Sequence, residues 1–178
     1  MTRAELEHAI RAACDVAHDD AIFVFGSQAI LGQFPDAPNA LRQSSEVDVA
    51  PVGRTDMIDA IDANLGELSL FHQTHGFYVH GLDIEAALLP DGWKARLIDV
   101  RGPGTFYKVG LCLEGHDLAA SKLGAFRDKD RDFARVLLAE RMIDRTTLMA
   151  RIATLPIELT ERERRAEWLR LTAVELAL

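Results

Sequence analysis

An apolar run, Ile22-Phe23-Val24-Phe25, stops at Gly26-Ser27, and after a polar stretch a second short run carries Glu46-Val47-Asp48-Val49. The first reads as a buried strand that breaks into a turn. In the second, strand alternation puts Glu46 and Asp48 on one face and the two valines on the other. Residues 33–45, with Pro35, Pro38 and Asn39, form the long loop between them. A Gly-Ser turn offers backbone N–H groups and a hydroxyl to a phosphate. Two acids on one strand face offer oxygens to a divalent ion. Each feature also has a plainer use, the serine as a helix cap and the acids as a solvated strand face.

Around this pair the chain alternates between helical and extended patterns. Leu6, Ala9, Ile10, Ala13 and Val16 recur at helical spacing over residues 3–18. Residues 28–32 suit a short helix, and Thr55 or Asp56 is placed to cap another that ends near Leu65, with a further turn over 67–73. Phe77-Tyr78-Val79, Leu82 to Leu89, Arg96 to Val100 and Phe106 to Leu113 read as strands, divided by Gly81, Pro90-Asp91-Gly92 and Gly102-Pro103-Gly104. After Gly115 the pattern is helical, over 116–125, 129–141, 144–154 and 160–177. The expected class is α+β: a mixed sheet with flanking helices over residues 1–114, then a C-terminal helical bundle over 115–178.

The 178 residues, 48% of them hydrophobic, suffice for one domain with a real core or for two small halves. The N-terminus, with Glu5 and Glu7, does not read as a secretion signal, and no apolar run reaches the ~20 residues that span a bilayer. Cys14 and Cys112 are isolated, which suits buried thiols in a reducing cytoplasm rather than a disulfide or a zinc site. The net charge of -8 argues against a strongly basic nucleic-acid platform. It is uneven, however. Residues 1–121 hold 8 Lys/Arg against 18 Asp/Glu, and residues 122–170 hold 12 against 9. A polyanion would therefore meet the C-terminal helices, unless those charges only form a salt-bridged surface.

A third cluster runs from His116 to Phe133. Leu118, Lys122 and Ala125 fall on one helical face, so Lys122 points inward beside apolar neighbours. Such a lysine needs an anion, which a triphosphate or Asp130 would supply, or it snorkels to solvent. Asp83 and Glu85, two apart in an expected strand, are candidates for a further metal acid or a solvated strand face.

The three clusters in this order resemble the nucleotidyltransferase fold of the DNA polymerase β superfamily. The run D-L-A-A-S-K-L-G-A-x-R-x-K-D-R-D-F at 117–133 is similar to the toxin-side nucleotidyltransferases of type IV toxin–antitoxin systems, the Men-type and abortive-infection E-type toxins. So are G-S-Q-A at 26–29, S-S-E-V-D-V at 44–49 and L-P-D-G-W-K-A-R-L at 89–97. The resemblance covers roughly residues 20–140.

It implies roles for particular residues. Gly26, Ser27 and Lys122 would bind the nucleoside triphosphate, Glu46 and Asp48 would hold Mg2+ (or Mn2+), and Asp130 would stand near the reacting hydroxyl. Asp48, Lys122 and Asp130 would be the catalytic set, with the helical bundle completing the active site. The implied activity is transfer of a nucleotide, CTP or UTP being the favoured donor, to the tRNA 3′ end. That would block aminoacylation and growth in the cytoplasm until a cognate antitoxin protein restrains it, and some relatives imply phosphorylation of a serine such as Ser27 by that partner. Arg127, Lys129, Arg131, Arg135 and Arg141 would be available to the acceptor backbone. The alternatives are modification of a protein or small molecule by the same chemistry, or a nucleotide-binding module without catalysis.

Overall fold

The computed structural model describes residues 1–178, which form two compact units. The first comprises Met1–Ala86 and Leu97–Glu114, and the second Ala87–Arg96 and Gly115–Leu178.

The first unit opens with α1 (Arg3–Ala17) and contains β1 (Ala21–Val24), α2 (Ile30–Gln33), β2 (Glu46–Pro51), α3 (Ile58–Leu65), α4 (Leu70–His75), β3 (Tyr78–Gly81), β4 (Ile98–Val100) and β5 (Val109–Cys112). The strands form one mixed sheet in the order β3-β2-β1-β5-β4. β1 runs antiparallel to β2 and parallel to β5, and β2 runs parallel to β3. Thr2 and Glu5 cap α1 reciprocally. Its apolar stripe, Leu6, Ala9, Ile10, Ala13, Cys14 and Ala17, is fully buried. The helix sits close on β5, where a Cβ on Gly110 would come within 2.3 Å of Ile10 Cδ1. Ile22, Val24, Val47, Val49 and Val79 complete this core. Both cysteines are buried and free, and burial pushes each thiol up to about 12.

The second unit is built from α5 (Gly115–Ala125), α6 (Asp128–Ala139), α7 (Arg145–Ala153) and α8 (Leu159–Glu175). α5 packs against α6 and α7, and α7 against α8. Asp117, fully buried, receives Arg96 at 2.8 and 3.0 Å and pairs with Arg151 at 3.0 Å. Arg96 thereby clamps residues 87–96 onto α5, and Leu88 lies where a Cβ on Gly124 would meet it at 3.0 Å. Within the L-P-D-G-W-K-A-R-L run, Arg96 thus serves to dock this segment. Buried Arg165 donates to the Leu123 and Gly124 carbonyls at 3.1 and 3.2 Å, satisfying the C-terminal end of α5. Its guanidinium also lies 4.4 Å from the centre of the Phe126 ring. No helix in the chain is long and apolar enough to cross a membrane.

Several expectations are corrected. Leu82 to Leu89 is not a strand: it is a loop with one 3-10 turn, Ile84–Ala86, entered where Asp83 Oδ1 accepts the Glu85 N–H at 2.9 Å. A local side-chain bond of this kind competes with strand pairing. The stretch before β5 also turns, because Phe106 and Tyr107 take left-handed backbone (φ 51 and 62) after the Pro103–Thr105 turn. Thr105 Oγ1 holds that turn by donating to the Lys108 carbonyl at 2.7 Å. Neither Thr55 nor Asp56 caps α3: Met57 occupies that position, and Asp56 is paired with Arg54 at 3.0 Å. On α5 the inward face is Leu118, Ala119, Ala120 and Leu123, while Ala125 is exposed.

Candidate active site

The Gly26-Ser27 turn and the acid strand meet in the first unit. As β1 ends, the Phe25 N–H donates to the Asp48 carbonyl at 3.1 Å, which draws the turn against β2. A Cβ on Gly26 would fall 1.9 Å from Asp48 Oδ2, so only glycine lets the backbone pass the carboxylate. Ser27 is half-buried and begins a 3-10 turn over Ser27–Ala29, whose cap position is Gly26 rather than the serine. The helical segment beyond is only α2, so a macrodipole adds little here. The chemical resources of the turn are the hydroxyl and the local N–H groups. Gln28 is fully buried behind it and donates to the Leu41 carbonyl at 3.4 Å, tying the turn to the loop that leads into β2.

Over residues 46–49 β2 alternates between half-buried and buried side chains. Val47 and Val49 are buried, whereas the Glu46 and Asp48 side chains on the opposite face keep 36% and 23% of their exposure. Ser44, just before the strand, accepts the Glu46 N–H at 3.0 Å and helps start it.

β3 adds a residue that the sequence reading missed. Its register pairs Asp48 with His80 and Val47 with Val79, so His80 joins the acid face. His80 Nδ1 lies 3.0 Å from Glu46 Oε1 and 3.5 Å from Asp48 Oδ1, with 38% of the ring side chain exposed. One ligand atom from each of the three lies within 4.8 Å of the others. Asp83 and Glu85, candidates for a further metal acid or a solvated strand face, are exposed on the loop after β3, and it is His80 that stands beside Glu46 and Asp48. Its signal was present: in Tyr78-Val79-His80 a buried valine separates two polar residues, so the strand has a face to read. Tyr78 feels the same environment, since burial, then the charges of Glu46, Glu67 and Asp48, push its phenol above the ordinary range.

In the second unit, Lys122 and Asp130 form a separate cluster. Asp130 occupies the first turn of α6, where a carboxylate is favoured, and its side chain is only 1% exposed. It accepts from Arg127 Nε at 2.6 Å and from the Arg127 N–H at 3.3 Å. Lys122 Nζ lies 3.6 Å from Asp130 Oδ1 and 5.4 Å from the centre of the Phe133 ring, with 16% of its side chain exposed. Among the basic residues considered for acceptor contacts, Arg131 is paired with Asp128 and Arg135 with Glu175. Arg127, Lys129 and Arg141 are exposed.

The polymerase-β-like arrangement expected from the motifs is therefore present: a mixed five-stranded sheet with flanking helices and a helical C-terminal part. No curated protein and no solved structure matches the chain. The sequence model of the DUF6036 family, a nucleotidyltransferase of unknown function, matches residues 4–172. The match spans nearly the whole chain, and the chain belongs to this nucleotidyltransferase family.

Proposed function

We propose that this protein transfers a nucleotide, preferably a pyrimidine nucleotide, from a nucleoside triphosphate to the 3′ end of tRNA. It would act as a toxin whose cognate antitoxin restrains it. The observation that carries the transferase part is the approach of the Gly26 backbone to the Asp48 carboxylate, beside Glu46 and His80. A phosphate-binding turn and a metal-holding strand are what a triphosphate donor requires of a protein. Support for the acceptor is the resemblance of residues 117–133 to the tRNA-directed toxins, together with the excess of Lys/Arg over Asp/Glu in residues 122–170.

The donor set fits a divalent ion, since two carboxylate oxygens and an imidazole nitrogen stand within reach of one another. Glu46, Asp48 and His80 would hold it, and when bound it would neutralise phosphate charge and ease ionisation of the attacking hydroxyl. The acceptor 3′-hydroxyl oxygen forms a bond to the α-phosphorus, the bond from that phosphorus to the bridging oxygen breaks, and pyrophosphate leaves. The hydroxyl proton passes to solvent or to a carboxylate. Ser27 and its neighbouring N–H groups donate to phosphate oxygens. By the resemblance, Lys122 would offset the charge that builds on pyrophosphate; within its own unit Asp130, held by Arg127, is the lysine's ion-pair partner.

The test is incubation of the protein with each of the four labelled triphosphates and a mixture of tRNA, protein and small amines, with Mg2+ or Mn2+. Label on the tRNA 3′ terminus, strongest with CTP or UTP, is the expected result. Label on protein or amine alone would replace the acceptor and keep the chemistry. Absence of transfer together with absence of triphosphate binding would leave only a non-catalytic module.

A further inference from the structure

Resting on the transferase reading above, we propose that the Glu46–Asp48–His80 site selects a first-row transition ion, Mn2+ in particular, over Mg2+, with His80 as a direct ligand. The inference rests on the donor atoms and on how firmly the sheet sets them. Asp48 and His80 are register partners on adjacent parallel strands, and Glu46 pairs with Tyr78 in the same ladder. The three side chains therefore share one face because of backbone pairing, and a one-residue slip would turn His80 into the core.

Both flanks of the site are also pinned. Gly81, directly after His80, sits where a Cβ would come within 2.6 Å of the Ile58 carbonyl oxygen, so α3 closes on the end of β3. Gly26 passes Asp48 Oδ2 with no room for a side chain. Ligands held in this way are preorganised rather than gathered by the ion.

The spacing suits a metal. Ligand atoms bonded at ~2.1 Å stand about 3.0 Å apart when they subtend a right angle and about 3.4 Å apart at a tetrahedral angle. The His80 nitrogen lies 3.0 Å from one carboxylate oxygen, a direct hydrogen bond without an ion, and 3.5 Å from the other, separations that an ion binding among them can keep. The face is half-exposed, which leaves positions for water and phosphate oxygens.

The chemistry of the donors then decides between ions. Mg2+ is hard, takes oxygen ligands and gives up its waters reluctantly. An imidazole in place of a third carboxylate removes one negative charge from the site and offers a nitrogen that Mg2+ uses poorly. First-row transition ions accept that nitrogen, while the two carboxylates and the phosphate oxygens suit Mn2+. The set contains no thiolate, so nothing in it favours the softest ions.

The experiment uses the full chain, stripped with chelator and titrated calorimetrically with Mn2+ and, separately, with Mg2+ in the absence of nucleotide. Mn2+ is expected to bind more tightly by on the order of ten-fold, the scale on which neighbouring groups tune metal sites. Pulsed electron paramagnetic resonance of the Mn2+ form is expected to show nitrogen modulation. His80→Asp, checked for folding by circular dichroism, should abolish that modulation and bring the two affinities together by strengthening Mg2+ binding. Equal affinities in the wild-type protein, or Mn2+ bound without nitrogen modulation, would overturn the choice of ion and leave the transferase reading standing. Failure to bind either ion, alone or with a non-hydrolysable triphosphate, would overturn that reading and this inference together.

Discussion

The sheet unit and the helical unit each contain a polar cluster, and the two are built on opposite principles. On the sheet, two carboxylates and an imidazole are crowded onto a half-exposed face by strand register. In the helical unit, Asp130 is buried and takes Arg127 and Lys122 on its two oxygens. The first cluster leaves two carboxylates on a half-exposed face with one imidazole as their shared partner, an arrangement that a cation can enter. The second satisfies its buried acid from within. A buried acid with two cations on it holds its surroundings in one arrangement, and its removal would strand both cations. The contrast predicts that changes in the sheet cluster act on activity and leave the fold alone, whereas removal of a buried acid in the helical unit acts on the fold first.

The sharpest test is Asp48→Ala. Transfer should fall to background, at least ~10^3-fold, because the variant loses a metal ligand. Circular dichroism and melting temperature should stay close to wild type, since the side chain lies on the half-exposed face and fills no core volume. Transfer near the wild-type rate would remove the sheet face from the chemistry. The matching test in the other unit is Asp117→Ala. Loss of this fully buried carboxylate strands Arg96 and Arg151, so denaturant unfolding should show a loss of about 3 kcal/mol. An unchanged denaturation midpoint would show that the clamp on residues 87–96 contributes nothing.

These two sites also differ in how far the sequence revealed them. Glu46 and Asp48 could be placed on one face because alternation in a short strand is a local property, and the buried valines between them fixed which face was inward. The Gly26-Ser27 turn was legible for the same reason, as a break after four apolar residues. What the turn approaches was not legible, because the contact with Asp48 depends on β1 pairing with β2 across a long loop. His80 was missed because its partner is set by the β2–β3 register, a tertiary fact. Asp83 and Glu85 misled in the opposite sense: their spacing suits a strand, but Asp83 prefers to bond the backbone two residues on. The four C-terminal helices were visible from periodicity. The partners of Asp117 were not, since Arg96 and Arg151 lie on either side of it at long sequence distance.

Lys122 is where the two principles can be separated, because it is proposed for catalysis and is also an ion-pair partner. Lys122→Ala should raise the transfer barrier by about 2–4 kcal/mol, the scale of losing one charge-stabilising donor. Its effect on stability should be smaller, since Arg127 remains on Asp130. Single-turnover rates at saturating triphosphate and an unfolding curve on the same preparation give both numbers. A stability loss as large as the barrier change, with rates recovered once the protein is held folded by ligand, would make Lys122 a scaffold residue.

Arg127→Ala should produce the smallest effect. Its guanidinium bonds Asp130 at 2.6 Å, but its side chain is 61% exposed, so solvent already screens much of the attraction. The Arg127 N–H also donates to Asp130 at 3.3 Å, and truncating the side chain leaves that bond and Lys122 in place. The expected cost is therefore roughly 1 kcal/mol or less in denaturant unfolding. Transfer rates should drop only to the extent that Lys122 loses its fixed direction, and Arg127→Lys should restore most of that drop by returning the charge. If Arg127→Ala instead abolished transfer while the unfolding curve stayed unchanged, the guanidinium would be acting on substrate. The helical cluster would then be open to ligand in the way the sheet cluster is, and the division between the two would fail at its exposed edge.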